Sequence, residues 1–165
     1  MLMQLKGIID CDFVNYKLPC LTLEFPYCTM KCDKLNGRPI CQNSALAHEP
    51  NLEINNDQIW QIYKENPLTQ AFCCQGLEPF DSPMDLLNFI SFIRLDKKCN
   101  DPIVIYTGYN KSEAYFPFLY EFQVVHKYAN IIIKWGRYII GDEPHYDEVL
   151  GVKLASNNQY AEVIK

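Results

Sequence analysis

The chain has 165 residues, of which 48% are hydrophobic and 21% charged, with a formal net charge of −5. This composition is typical of one globular domain, spanning residues 1–165, and the lack of a long basic run argues against nucleic-acid binding. No apolar run approaches the ~20 residues that a membrane-spanning helix needs, and residues 1–6 lack the features of a signal peptide. We therefore expect a cytoplasmic protein with no membrane partner, whose eight cysteines stay reduced.

The first half of the chain predicts short strands followed by a helix and a further strand. Residues 4–26 contain two or three strands, the last of which leads into a cysteine-rich loop. A helix begins at Asn56 or Asp57 and stops before Pro67, because the residue before a proline disfavours helical backbone. The apolar run that follows contains Cys73 and Cys74, which we interpret as core thiols of a buried strand.

Helices and strands alternate in the second half. Ser82 is a candidate N-cap and Pro83 suits the first helical position, so a helix is predicted to begin there. The remaining predicted elements are a strand at 102–106, a short aromatic helix at 112–120, and strands at 131–135 and 149–154. The alternation implies right-handed crossovers, and therefore an α/β fold with a mainly parallel sheet.

Three cysteines fall on one polar, turn-rich loop, residues 27–43: Cys28, Cys32 and Cys41. Cysteine is usually a small buried hydrophobe, so this placement favours a metal or a disulfide. A reducing compartment favours the metal. Three thiolates are one short of a closed zinc set, and no histidine stands at zinc-finger spacing. They suit an iron–sulfur cluster whose fourth iron binds an exchangeable ligand.

The long interval between Cys32 and Cys41 requires a chain reversal if the two thiols are to share a metal. Asn36-Gly37 predicts a type I′ turn, in which both residues have positive φ, so residues 33–40 would fold back. The loop also carries three basic residues, which suit either an anionic cluster or a solvated surface: Lys31, Lys34 and Arg38.

Four unusual loops each follow a predicted strand. They are the cysteine loop, residues 76–79, Thr107-Gly108 and residues 156–159. Because the carboxyl ends of parallel strands meet at one edge of a sheet, where ligands bind, we expect these four loops to lie together.

The cysteines, Gly76-Leu77-Glu78-Pro79, Thr107-Gly108-Tyr109 and Ser156-Asn157-Asn158-Gln159 together resemble the motifs of the radical S-adenosylmethionine (radical SAM) family. Their order and spacing are similar to those of the small glycyl radical enzyme activases that act on anaerobic ribonucleotide reductase. Two departures stand out. Eight residues separate Cys32 from Cys41 where the family has two, and Leu77 replaces the second glycine of Gly-Gly-Glu-Pro.

The resemblance implies a fold, cofactors and site residues. The fold would be a partial, open (β/α) barrel of mainly parallel strands. Cys28, Cys32 and Cys41 would ligate a [4Fe-4S] cluster, and S-adenosylmethionine would chelate its fourth iron. The residues implied to meet the methionine end of that cofactor are Gly76, Leu77, Glu78 and Pro79. Those implied on its ribose and adenine side are Thr107, Gly108, Ser156 and Asn157.

The resemblance also implies an activity: one electron, from a donor such as flavodoxin, would cleave S-adenosylmethionine to methionine and a 5′-deoxyadenosyl radical. That radical would abstract hydrogen from a backbone glycine of anaerobic ribonucleoside-triphosphate reductase. A closed eight-unit barrel needs ~250 residues, so a chain this short would be open-sided and could admit a partner's glycine loop. Two alternatives stay open. One is a radical SAM enzyme acting on another protein, a peptide or a small molecule; the other is a non-enzymatic zinc-binding interaction module with Cys11 or His48 as the fourth ligand.

Overall fold

The computed structural model describes residues 2–113 and 130–164. The strands of the described residues are β1 (Leu2–Leu5), β2 (Gly7–Asp12), β3 (Cys20–Phe25), β4 (Leu52–Asn55), β5 (Ala71–Gly76), β6 (Ile103–Tyr106), β7 (Ile131–Trp135), β8 (His145–Asp147), β9 (Val152–Leu154) and β10 (Tyr160–Val163). The helices are α1 (Lys31–Asn36), α2 (Asn56–Glu65) and α3 (Pro83–Ser91). Short helical turns cover Leu46–His48, Pro79–Asp81 and Phe92–Asp96. None of the helices in this part of the chain is long and apolar enough to cross a membrane.

A six-stranded sheet in the order β10-β7-β6-β5-β3-β2 organises the molecule. Its four central strands are parallel, while β2 and β10 pair antiparallel at the two edges. Two separate two-stranded antiparallel sheets, β1-β4 and the β8-β9 hairpin, complete the fold. Across the described residues, antiparallel ladders outnumber parallel ones by four to three. The predicted α/β class is therefore confirmed with a mixed sheet, and a partial parallel barrel is not confirmed.

The helix starts follow the local sequence. Asn55 caps α2: its side chain accepts the Gln58 N–H at 2.9 Å, and the Gln58 side chain accepts the Asn55 N–H at 3.0 Å. This reciprocal pair fixes the helix start at Asn56, as predicted. Pro83 opens α3, also as predicted, although the Ser82 side chain makes no capping hydrogen bond. Most of the predicted aromatic helix, residues 114–120, lies outside the described residues.

The sheet separates two apolar layers. On its first face, α2 and α3 pack against alternate strand residues such as Leu23, Ile105 and Trp135. On its second face lies a smaller cluster that includes Cys20, Cys73 and Val104, packed against residues near the β8-β9 hairpin. Cys73 and Cys74 are both fully buried, on opposite faces, which confirms their prediction as core thiols.

The C-terminal region differs from the predicted arrangement. The strand expected at 149–154 is the shorter β9, and it pairs with β8 rather than joining the main sheet. Asp147 and Gly151 account for the break, because the Asp147 side chain accepts the Leu150 N–H at 2.9 Å and Gly151 has φ +71°. The strand that pairs with β7 on the side away from β6 is β10, which the sequence pattern does not predict. The sequence pattern likewise does not predict β4, which pairs with β1.

Candidate functional site

A cavity of about 400 Å³ lies at the carboxyl ends of the parallel strands. Its wall is formed near the ends of four strands: by Glu24 of β3, by residues 75–77 at the end of β5, by residues 106–108 at the end of β6, and by Lys134 of β7. Cys32 and Cys41 open onto the same space. The structure therefore brings the cysteine loop and the loops that follow β5 and β6 to one edge of the sheet.

The turn after β5 depends on Gly76. Its φ is +99°, and a Cβ at this position would lie 2.7 Å from Phe25 N and 2.8 Å from Glu24 Cα. Only glycine allows this backbone to approach β3 so closely. The Gly76 carbonyl in turn accepts a hydrogen bond from Asn43 Nδ2 at 2.8 Å, which ties the end of the cysteine loop to β5. Gly76 and Leu77 both line the cavity.

Glu78 joins this turn to the loop after β6. Its Oε1 accepts the Phe80 N–H at 3.1 Å and the Thr107 hydroxyl at 2.8 Å, and its Oε2 accepts the Gly108 N–H at 2.8 Å. Burial raises the pKa of Glu78 to about 7, although these three donors oppose the shift. Thr107 and Gly108 line the cavity, whereas Glu78 and Pro79 are buried and do not belong to its wall. Glu78 therefore acts on the site by holding the two loops together.

The cysteine loop contains a short helix rather than the predicted type I′ turn, so that prediction is wrong. Asn36 ends α1, and Gly37 follows it with φ +63° and donates its N–H to Lys34 O. This left-handed glycine is a helix C-cap, which needs positive φ at one residue only. The chain nonetheless reverses, because Asp33 Oδ1 accepts the N–H groups of Ile40 and Cys41 at 2.8 and 2.9 Å.

The three cysteines of the loop are all half-buried, but they do not share one opening. Cys32 sits over the loop after β6, since a Cβ on Gly108 would lie 3.9 Å from Cys32 Sγ. Cys28 faces a neighbouring depression, and its sulfur accepts the Met30 N–H at 3.2 Å. Burial raises the pKa of Cys28 to about 11 and also raises the pKa of Cys32, on which the neighbouring Cys41 acts in the same direction. Both thiols are therefore protonated at neutral pH unless a cation is bound.

Three thiols on one loop suit an iron–sulfur cluster in the kind and number of donors. Within residues 2–113 and 130–164, however, no three histidine, cysteine or acidic side chains are grouped closely enough to hold a metal ion. Of the three loop cysteines, Cys32 and Cys41 share the cavity and Cys28 lies to one side. The kind and number of donors therefore fit a cluster. Binding would require Cys28 to move toward Cys32 and Cys41.

Lys134 is a site residue that sequence reasoning missed. It is buried on the second face of β7, lines the cavity, and donates from Nζ to Gly136 O at 2.8 Å. Burial lowers the pKa of Lys134 to about 8, against the opposing effect of Glu78 and Cys32. The signal was present in the sequence, because a lysine interrupts the otherwise apolar run of β7.

Asp81 and Tyr109 tie the first half of the cysteine loop to the sheet edge. Asp81 accepts the Tyr109 hydroxyl at 2.7 Å and the Thr29 N–H at 2.9 Å. The Tyr109 ring also lies 4.7 Å from Lys31 Nζ and 5.5 Å from the Arg137 guanidinium. The Tyr109 ring therefore contacts two cations beside the site.

Ser156 and Asn157 lie near this edge but not in the cavity wall. Ser156 is fully buried, and its hydroxyl donates to Asn158 Oδ1 at 2.8 Å. The Asn157 N–H donates to Asp142 Oδ2 at 2.8 Å. From the same turn it is Gln159 that lines the cavity, and its Nε2 donates to Gly136 O at 3.2 Å. The hydrogen bonds of Ser156 and Asn157 thus give both residues a structural role in the turn.

No protein-family model, curated protein or solved structure matches this chain.

Proposed function

We propose that the protein is a radical SAM activase, in which residues 27–43 hold a [4Fe-4S] cluster and the adjoining cavity takes S-adenosylmethionine. One observation carries the proposal: Cys32 and Cys41 open onto the same cavity as the loops at 76–77 and 107–108. That cavity stands at the carboxyl ends of parallel strands, where α/β proteins bind ligands. The partial, open-sided barrel belongs to the same proposal.

The cavity suits a cofactor of this size and charge. Its volume of about 400 Å³ lies within the ~300–1,000 Å³ typical of small-molecule sites. Its wall carries three cationic side chains, those of Lys134, Arg137 and Lys153, and one carboxylate, that of Glu24. S-adenosylmethionine has a carboxylate, an ammonium group and a sulfonium, so charges of both signs on the wall have a counterpart in the cofactor. Leu77 and Gly108 line the same wall.

Cys28, Cys32 and Cys41 would hold the cluster as thiolates. When bound, the cluster supplies the electron for reductive cleavage of S-adenosylmethionine, with flavodoxin or a similar protein as the one-electron donor. Loss of three thiol protons accompanies binding, and the raised pKa values of Cys28 and Cys32 oppose it. Glu78 and Lys134 stay outside the ligand set: Glu78 orders the loops, and Lys134 faces the ligand.

The substrate in this proposal is a glycine of anaerobic ribonucleoside-triphosphate reductase, in the cytoplasm. An exposed apolar side chain in the cavity wall, preceded along the chain by a second exposed apolar residue, favours a macromolecular partner over a small molecule. Val14 lines the cavity yet is 75% exposed, and its neighbour Phe13 is 65% exposed. Exposed apolar groups beside a site are typical of protein-binding surfaces.

Anaerobic reconstitution with iron and sulfide tests the proposal. We expect about four iron and four sulfide per chain, brown colour that bleaches in air, and release of 5′-deoxyadenosine on reduction with S-adenosylmethionine. Cys41→Ala should lose most of the iron, whereas Cys99→Ala, a half-buried cysteine outside the loop, should retain it. Wild-type protein that binds neither iron nor sulfide would refute the assignment.

A zinc-binding interaction module is the second candidate, favoured by the fact that only two loop thiols share the cavity. The geometry narrows the choice of residue for the fourth zinc ligand. Cys11 precedes Asp12, which pairs with Cys20 at the start of β3, whereas Cys28 follows the end of that strand. Six residues of strand separate the two ends by about 17 Å, which argues against Cys11 and leaves His48 as the other candidate ligand. Stoichiometric zinc without iron or sulfide after anaerobic purification would support this module.

A further inference from the structure

We infer that Asp33 is the positioning residue that returns Cys41 to the side of Cys32 across the enlarged loop. Its role toward a cluster rests on the proposed function, while its role in closing the loop does not. The evidence is a pair of hydrogen bonds to one oxygen: Asp33 Oδ1 accepts the Ile40 N–H at 2.8 Å and the Cys41 N–H at 2.9 Å.

Loop closure needs such a residue because the core does not provide it. Nine peptide steps separate Cys32 from Cys41, enough for an extended chain to reach about 30 Å. The intervening helix α1 has no buried residue, so its position is not determined by packing against the sheet. Gly37 reverses the chain direction but bonds only back to Lys34. The reversal therefore has to be closed by polar contacts within the loop.

Asp33 is placed to provide that closure. It is the residue after Cys32, and its carboxylate bonds the backbone N–H of Cys41 itself. One side chain thus links the two cysteines that open onto the cavity. The other contacts of the loop do not have this effect. Asn36 bonds Cys32 O within its own helix, and Asn43 anchors the chain beyond Cys41 to β5.

A charged acceptor is important here, since one oxygen receives two N–H groups. Hydrogen bonds to an ionised acceptor are roughly twice as strong as neutral ones. Asparagine at this position would keep an oxygen at the same distance along the side chain without the charge. Alanine would remove the acceptor. The two substitutions therefore separate the contribution of geometry from that of charge.

The experiment measures the proximity of Cys32 and Cys41 in metal-free protein with dibromobimane, a short reagent that bridges two thiols. The bridge is identified by mass spectrometry as a link between the tryptic peptides 32–34 and 35–64. Its yield is normalised to single-site alkylation of each thiol. The variants are Asp33→Ala and Asp33→Asn, with Leu35→Ala as the matched control, because Leu35 is on the same helix and is 74% exposed.

We expect Leu35→Ala to match wild type, Asp33→Ala to reduce the bridge at least fivefold, and Asp33→Asn to give an intermediate yield. Iron bound on reconstitution should follow the same order. The urea midpoint should stay unchanged in all three, since α1 contributes nothing to the core. An undiminished bridge in Asp33→Ala, or no bridge in wild type, would overturn the inference. A reduced bridge together with iron-free wild-type protein would support the role of Asp33 and refute the proposed function.

Discussion

The Glu78→Gln substitution tests the link between the two loops of the site. The carboxylate accepts backbone N–H groups on both oxygens, from Phe80 on Oε1 and from Gly108 on Oε2. Glutamine has one side-chain oxygen, so in either orientation its NH₂ group faces one of these N–H donors. A buried donor left without an acceptor costs about 1–3 kcal/mol. By this effect alone the variant would be less stable than wild type.

The buried charge acts in the opposite direction and depends on pH. The pKa of Glu78 is raised from 4.5 to about 7 by burial, and each pKa unit corresponds to about 1.4 kcal/mol, so ionisation costs the folded state about 3 kcal/mol. Because the pKa of Glu78 is higher in the folded state, the protonated side chain stabilises wild-type protein by this amount below pH 4.5. This stabilisation is lost as the pH rises to about 7. Glutamine does not titrate. The difference in unfolding free energy, variant minus wild type, should therefore increase by about 3 kcal/mol between pH 4.5 and pH 8.

Urea unfolding at several pH values, followed by tryptophan fluorescence, measures this difference. The control is Glu53→Gln, which removes an exposed carboxylate on β4 and should leave the difference from wild type nearly constant. The size of the pH-dependent change is independent of the fixed penalty of the unpaired N–H group. A Glu78→Gln difference that varied by less than about 1 kcal/mol over this range would show that Glu78 does not carry the raised pKa.

Two further substitutions test the sheet edge. Gly76→Ala should lower the unfolding free energy by about 3 kcal/mol, because its φ is +99° and the new Cβ would meet Phe25 N at 2.7 Å. Gly141→Ala, with φ +78° and nothing within 4 Å, should lose only about 1 kcal/mol, and equal losses would contradict the steric argument. Lys134→Met should stabilise the protein at pH 7 and do so less at pH 10.5. The pKa of Lys134 is lowered to about 8, so the buried lysine is neutral at pH 10.5 and most of the penalty for burying its charge is gone. Calorimetric titration of the same variant should show weaker S-adenosylmethionine binding, and unchanged affinity would exclude Lys134 from ligand contact.

Local signals predicted most of the elements that build the site. The helix predicted to begin at Asn56 or Asp57 and to stop before Pro67 is α2, and Pro83 opens α3. The strands β6 and β7 stand where their apolar runs predicted them. Each of these signals acts within a few residues along the chain, so the sequence alone is sufficient. The same holds for the placement of Gly76-Leu77 and Thr107-Gly108 at strand ends.

The sequence pattern was less informative where a segment was compatible with two local structures. Asn36-Gly37 is compatible with a tight hairpin turn and with a helix end, and the helix was adopted because residues 31–36 extend it. The polar turn at 156–159 likewise offers several side chains to the edge. Packing against Gly136 selected Gln159 for the cavity and left Ser156 buried.

The sequence by itself determined the α/β class, the main helix and strand starts, and the three cysteines of one loop, because capping, proline geometry and apolar periodicity are short-range effects. Only the tertiary structure decided the antiparallel edges, the separation of β9 from the main sheet, and the burial of Lys134 beside Cys32 and Cys41. These features depend on contacts between residues far apart in the chain. The free energies of these contacts are comparable to those of alternative arrangements of the same strands and side chains. The return of Cys41 through Asp33 lies between the two cases: its partners are close in sequence, but the bond forms only once α1 and Gly37 have set the direction of the chain.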